Sequence, residues 1–72
     1  MFKNLIENIK QAVRDIFREN GNKPLEMEEL ILLVDKKLRN GEIDTELTAI
    51  SIDIMLDRFE LTRLPDNKLK LT

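Results

Sequence analysis

The chain has 72 residues, of which 42% are apolar and 36% are charged, and it contains neither cysteine nor histidine. A chain of this length fits one domain, 1–72, and buries only about 60% of the surface that it exposes when unfolded. The missing residue types exclude disulfides, thiol chemistry, and the commonest general base and zinc ligand. Ser51, the one serine, has no histidine to activate it. We therefore expect no enzyme, no cofactor and no metal site.

The first predicted element is a helix over about 2–20. At about 100° per residue, its apolar side chains fall in one arc and everything outside the arc is polar. Asn20-Gly21 then supplies a signal for the helix to end. The arc consists of Phe2, Leu5, Ile6, Ile9, Ala12, Val13, Ile16 and Phe17.

A second helix is predicted over about 25–39, since Pro24 suits a first turn and lysines gather near the other end. Its main apolar stripe is Met27, Leu30, Ile31, Val34 and Leu38. Leu32 and Leu33 lie off that stripe and need another surface to cover them. The unbroken apolar run 30–34 is too short to span a membrane, so we expect a cytoplasmic protein that does not bind membranes.

The third predicted helix covers about 45–59, with Asp44 as its N-cap. Two apolar stripes run along it, which is typical of a central helix with neighbours on two sides. One stripe is Leu47, Ile50 and Ile54, and the other is Ala49, Ile52, Met55, Leu56 and Phe59. An acidic ridge of Glu46, Asp53, Asp57 and Glu60 fills one side between them.

The last segment, 61–72, alternates apolar and polar residues around Pro65-Asp66-Asn67 and predicts a β-hairpin. A two-residue turn would place Leu64 opposite Leu69, whereas a three-residue turn would place it opposite Lys68. The pattern leaves both registers open. Because an isolated hairpin is unstable in water, this one must lie against the helices.

Three helices followed by a hairpin is the element order of a winged helix. Residues 23–30 resemble the entry to the second helix of that superfamily, 50–59 its third helix, and 61–72 its wing. The resemblance covers nearly the whole chain. It implies a mainly α (α+β) domain of three helices with a C-terminal β-hairpin wing, and it implies DNA binding as the best-known function of such domains. Members commonly carry a glycine before the first wing strand, where this chain has Phe59-Glu60-Leu61.

The charge distribution disfavours recognition of DNA by the third helix. Segment 41–60 has six acidic residues and one basic residue, a formal charge of −5, whereas 1–23 and 61–72 each carry +2. An acidic helix repels phosphates. Phosphates could instead be contacted by the basic flank of the first helix and the wing, through Lys3, Lys10, Arg14, Arg18, Arg63, Lys68 and Lys70. The competing interpretation is a solvated flank with pairs such as Glu7–Lys10 and Asp15–Arg18.

Leu32, Leu33 and one apolar stripe of the third helix exceed what a single small core needs. Exposed, these side chains would form an apolar patch of the kind that marks a protein interface. Its candidate residues are Leu32, Leu33, Leu47, Ile50 and Ile54. The partner would be another protein or a second copy in a homodimer, the commonest oligomer. The hairpin and the first helix could also cover all of these side chains. The function predicted here is therefore a small interaction module, and the alternative is a DNA-binding regulator that contacts phosphates.

Overall fold

A computed structural model describes the backbone of residues 2–38 and 45–72 and the side chains of 5–38 and 45–72. The elements, in chain order, are α1 (Phe2–Glu19), α2 (Met27–Leu38), α3 (Thr45–Asp57), β1 (Leu61–Arg63) and β2 (Leu69–Leu71). The predicted fold class is confirmed: three helices precede a two-stranded antiparallel hairpin. The predicted N-cap Asp44 lies outside the described residues.

Helix α1 ends in a hydrogen-bonded motif that requires a left-handed residue. The N–H of Asn22 donates to the carbonyl of Phe17 (2.6 Å), and the N–H of Gly21 donates to that of Arg18 (3.3 Å). This pair of bonds is a Schellman motif, whose C′ residue adopts positive φ. Gly21 occupies that position with φ 73°. The Asn20-Gly21 signal therefore ends the helix as expected.

Helix α2 begins two residues later than predicted because Leu25 is used in the sheet. Leu25 forms an antiparallel bridge with Leu69, in which each backbone N–H donates to the other's carbonyl (2.9 and 2.7 Å). A residue bonded in this way cannot also start a helix. Strand β2 therefore has Leu25 on one side and β1 on the other.

The hairpin adopts the register of the three-residue turn. Leu61 pairs with Leu71 and Arg63 with Leu69, and the N–H of Leu64 donates to the carbonyl of Lys68 (2.8 Å). Asn67 closes the turn with φ 68°, a conformation that asparagine tolerates well.

Every element contributes to a single cluster of buried apolar side chains. From the hairpin, Leu61 and Leu69 enter this core, so the hairpin is held against the helices as expected. The other buried members are Ile9, Ala12, Val13, Ile16, Phe17, Leu30, Val34, Ile52 and Met55. The core is thus filled by the inward faces of the three helices and the two strands.

Candidate protein-interaction surface

The two leucines of α2 that lie off its main stripe are exposed. Leu30 and Val34 face the core and are fully buried, and Ile31 packs at its edge. Leu32 is 68% exposed and Leu33 is 38% exposed. Neither the hairpin nor α1 covers them, so the interpretation in which the fold itself buries all of its leucines is wrong.

The first stripe of α3 divides between core and surface. Leu47 is half-buried and packs against the core cluster, whereas Ile50 is 50% exposed and Ile54 is half-buried. Ile50, Asp53, Ile54 and Asp57 follow one another at helical spacing and line a shallow depression. Of the five predicted interface residues, Leu32, Leu33 and Ile50 are therefore the ones whose apolar side chains are exposed.

Phe59, which the sequence pattern placed on the second apolar stripe of the third helix, is exposed. The helix was predicted over about 45–59, but α3 ends at Asp57, and Phe59 adopts φ 61° with its side chain 80% exposed. The N–H of Phe59 donates to the carbonyl of Leu56 (3.1 Å), and that of Glu60 donates to the carbonyl of Met55 (2.8 Å). This is the same Schellman motif as at the end of α1, with phenylalanine in the glycine position.

Beside Phe59, a second shallow depression runs between α3 and β1. Leu56, Leu61, Thr62 and Arg63 line it together with Phe59, and Asp53 and Asp57 border both depressions. The exposed side of α3 thus combines apolar side chains with two carboxylates. An acidic surface of this kind opposes a phosphate backbone, in agreement with the charge analysis.

Glu60 does not belong to the acidic ridge of α3, as the sequence pattern suggested, but faces α1. Its Oε1 accepts a hydrogen bond from Arg14, and its Oε2 lies 3.4 Å from Nζ of Lys10. Lys10 is 6% exposed and also lies 3.6 Å from Oε1 of Glu7. The hydrogen bond from Arg14, assisted by Lys10, holds the pKa of the Glu60 carboxyl below its usual value, against the opposing effect of partial burial. The helix turn before Glu60 directs the carboxylate towards α1.

The candidate phosphate-binding residues therefore divide into two groups. Lys10 and Arg14 pair with Glu60. Arg18 and Arg63 are exposed, and Lys68 and Lys70 are half-buried on the hairpin; Lys3 lies outside the described side chains. The predicted pair Glu7–Lys10 is present, whereas Asp15 accepts a hydrogen bond from Gln11.

The comparisons with known proteins give no relative for this chain: no family model, curated protein or solved structure matches it significantly. No helix within the described residues is long and apolar enough to cross a membrane. In that same part of the chain, no group of three or more acidic side chains is placed to hold a metal ion.

Proposed function

We propose that this chain is a cytoplasmic, non-enzymatic interaction module of winged-helix-like architecture that binds protein through apolar side chains of α2 and α3. The observation that carries the proposal is the exposure of Leu32, Leu33, Ile50 and Phe59 around a core that is already filled. Large apolar side chains that a small domain leaves exposed are typical of interfaces. A second copy of the chain is the simplest partner, since most oligomers are two-fold homodimers.

The charges of the surface also favour protein over nucleic acid. Two of the cations on the α1 flank, Lys10 and Arg14, already neutralise Glu60. On α3, the exposed Asp53 and Asp57 would repel a phosphate backbone. Of the predicted phosphate-contacting residues whose side chains the structure describes, Arg18, Arg63, Lys68 and Lys70 take no part in this neutralisation.

Self-association tests the proposal directly. Sedimentation equilibrium up to millimolar concentration should show a concentration-dependent dimer. Leu32→Ser or Ile50→Ser should weaken association by about tenfold or more if that side chain is buried in the contact, because burying a leucine or isoleucine is worth about 1.5–3 kcal/mol. Thr45→Ser, on the exposed start of α3, is a control that removes no large apolar group.

Binding to random duplex DNA at low and at moderate salt tests the alternative function. The protein-interaction proposal predicts no detectable binding even at low salt. Salt-sensitive binding that Arg18→Glu or Lys68→Glu abolishes would overturn the proposal in favour of phosphate contact. These two positions are chosen because neither takes part in the pairing with Glu60, so their substitution leaves that contact intact.

A further inference from the structure

The outward face of α2 has a pattern that is complementary to itself. Glu29, Leu32, Leu33 and Lys36 are all exposed and stand at positions i, i+3, i+4 and i+7, the spacing of a helix-pairing seam. We call these four residues the α2 seam. Within the part of the chain that the structure describes, neither Glu29 nor Lys36 forms an ion pair. The seam therefore presents two leucines between one acidic and one basic side chain.

The order of these residues suits an antiparallel copy of the same helix. Glu29 and Lys36 are equally distant along the helix from the midpoint between Leu32 and Leu33. A two-fold axis through that midpoint places Glu29 opposite Lys36 of the second copy, and it repeats this pair on the other side. The leucines of the two copies then meet at the centre. Such an interface is isologous, because the same patch serves both subunits.

The exposed side of α3 lacks this self-complementarity. Asp53 and Asp57 stand four residues apart on α3, and this exposed side includes no cation on the helix itself. A two-fold pairing through α3 would bring four carboxylates together in the contact, which like-charge repulsion opposes. Of the two helices that expose apolar side chains, α2 is the one suited to a symmetric partner.

We infer that a second copy of this chain docks on the α2 seam as an antiparallel helix pair, with four leucines at its centre and two Glu29–Lys36 ion pairs beside them. The inference rests on the proposed function and specifies its partner, symmetry and register. A seam of two helical turns is much smaller than a standard interface of about 1,600 Å². The dimer is therefore weak and is to be measured up to millimolar concentration.

Charge reversal tests the register. Glu29→Lys and Lys36→Glu should each weaken the dimer by about tenfold, because each creates two like-charge contacts about the axis. The double variant should recover the wild-type dissociation constant to within about threefold, since the pairs are restored with their signs exchanged. Glu28→Lys is the matched control, because it makes the same charge change on the same helix outside the seam. Far-UV circular dichroism of each variant verifies that α2 still folds.

Disulfide cross-linking supplies a second, geometric test. The natural chain has no cysteine, so a single introduced cysteine reacts only with its copy. Helices packed at about 8–10 Å bring residues beside the two-fold axis within the roughly 4.4–6.8 Å between Cα atoms that a disulfide needs. Leu32→Cys should cross-link rapidly under mild oxidation. Asp35→Cys, exposed on α2 but outside the seam, should cross-link much more slowly.

The outcomes separate this inference from the proposed function. A dimer that depends on Ile50 or Phe59 but not on the seam variants overturns the α2 pairing and leaves protein binding in place. If the double charge variant dimerises as weakly as either single variant, the proposed register is overturned. A chain that stays monomeric at millimolar concentration also overturns the inference, whereas protein binding as the function is overturned by the DNA experiment described above.

Discussion

Phe59 combines an unfavourable backbone conformation with an unfavourable exposure. A left-handed φ of 61° crowds the Cβ of an L-residue against its own backbone, and a large apolar ring that is 80% exposed gains little from burial. Gly21, at the equivalent position after α1, avoids the first problem because it has no Cβ. A phenylalanine at such a position destabilises the isolated fold, which is consistent with a role in contacting a partner.

Replacing Phe59 by glycine should therefore stabilise the chain. Relief of the left-handed strain, about 1–2 kcal/mol, exceeds the added entropy of glycine in the unfolded state, about 0.5–1 kcal/mol. We expect a net gain of roughly 0.5–1 kcal/mol in the free energy of unfolding, measured by urea denaturation. Conversely, Gly21→Ala should lower the free energy of unfolding by about 1 kcal/mol through the positive φ alone, because no atom beyond the adjacent residues lies within 4 Å of the added Cβ. A loss of stability in Phe59→Gly would show that the ring contributes to the fold.

Glu60 contributes to stability through its charge, and the effect has a defined pH dependence. Its pKa is lowered in the folded chain, so its contribution is fully present above the unfolded value of about 4.5 and is lost as the pH falls through the folded pKa. Glu60→Gln should lower the free energy of unfolding at pH 7 by roughly 1–2 kcal/mol, because Arg14 and the buried Lys10 lose an ionised partner.

Urea denaturation at a series of pH values between 7 and 3 measures this effect. The difference between the wild type and Glu60→Gln should shrink towards the acid end of the series. Glu7→Gln is the control, because Glu7 also contacts Lys10 but is itself largely exposed, and its effect should be smaller. An equal loss in both variants would contradict a special role for Glu60.

Helix α2 carries two leucines, two residues apart, that should differ strongly in their contribution to stability. Leu30→Ala removes a fully buried side chain and should cost about 2–5 kcal/mol, enough to unfold a small domain. Leu32→Ala removes an exposed side chain and should change stability by no more than about 0.5 kcal/mol. Denaturation is measured at low micromolar concentration, where association of the chain does not contribute. A large effect of Leu32→Ala would mean that its side chain packs within its own chain.

The helices and the hairpin were predictable where the local sequence determines them. The exposure and pairing of the candidate site residues were harder to predict. Apolar spacing was enough for the centres of the three helices, and Asn20-Gly21 for the end of α1. The start of α2 was misplaced because Leu25 bonds to Leu69, a residue far along the chain. The hairpin register stayed open because both turns preserve the alternation of side chains. In the same way, no local pattern shows whether Leu32 is covered, or that Glu60 turns towards α1, since both depend on tertiary packing.

Strand β2 joins parts of the chain that are distant in sequence. Its Leu69 bonds to Leu25, and the N–H of Leu71 donates to Oδ1 of Asn22 (3.1 Å). Closing such long loops carries an entropic cost before the contacts form, whereas the hydrogen bonds within each helix join residues that are close in sequence. The hairpin should therefore dock late in folding.

Stopped-flow kinetics of Leu71→Ala tests this order of events. Leu71 is half-buried against the core, so its truncation should destabilise the chain and act mainly by raising the unfolding rate. Val13 lies in the buried face of α1. Val13→Ala should therefore express a larger fraction of its loss of stability as a lowered folding rate than Leu71→Ala does. A lowered folding rate in Leu71→Ala, with unfolding unchanged, would place the hairpin in the folding nucleus instead.

The arrangement of the sheet also bears on aggregation. Strand β2 is bonded on both sides, by Leu25 and by β1, so within the described residues the outer side of β1 is the free strand edge. That edge is three residues long, ends in the charged Arg63 and is soon followed by Pro65, which has no N–H to donate. Such an edge is a poor template for a growing sheet. Within the described residues, the apolar side chains exposed on the helices are therefore not accompanied by a long, uncharged strand edge of the kind on which fibrils grow.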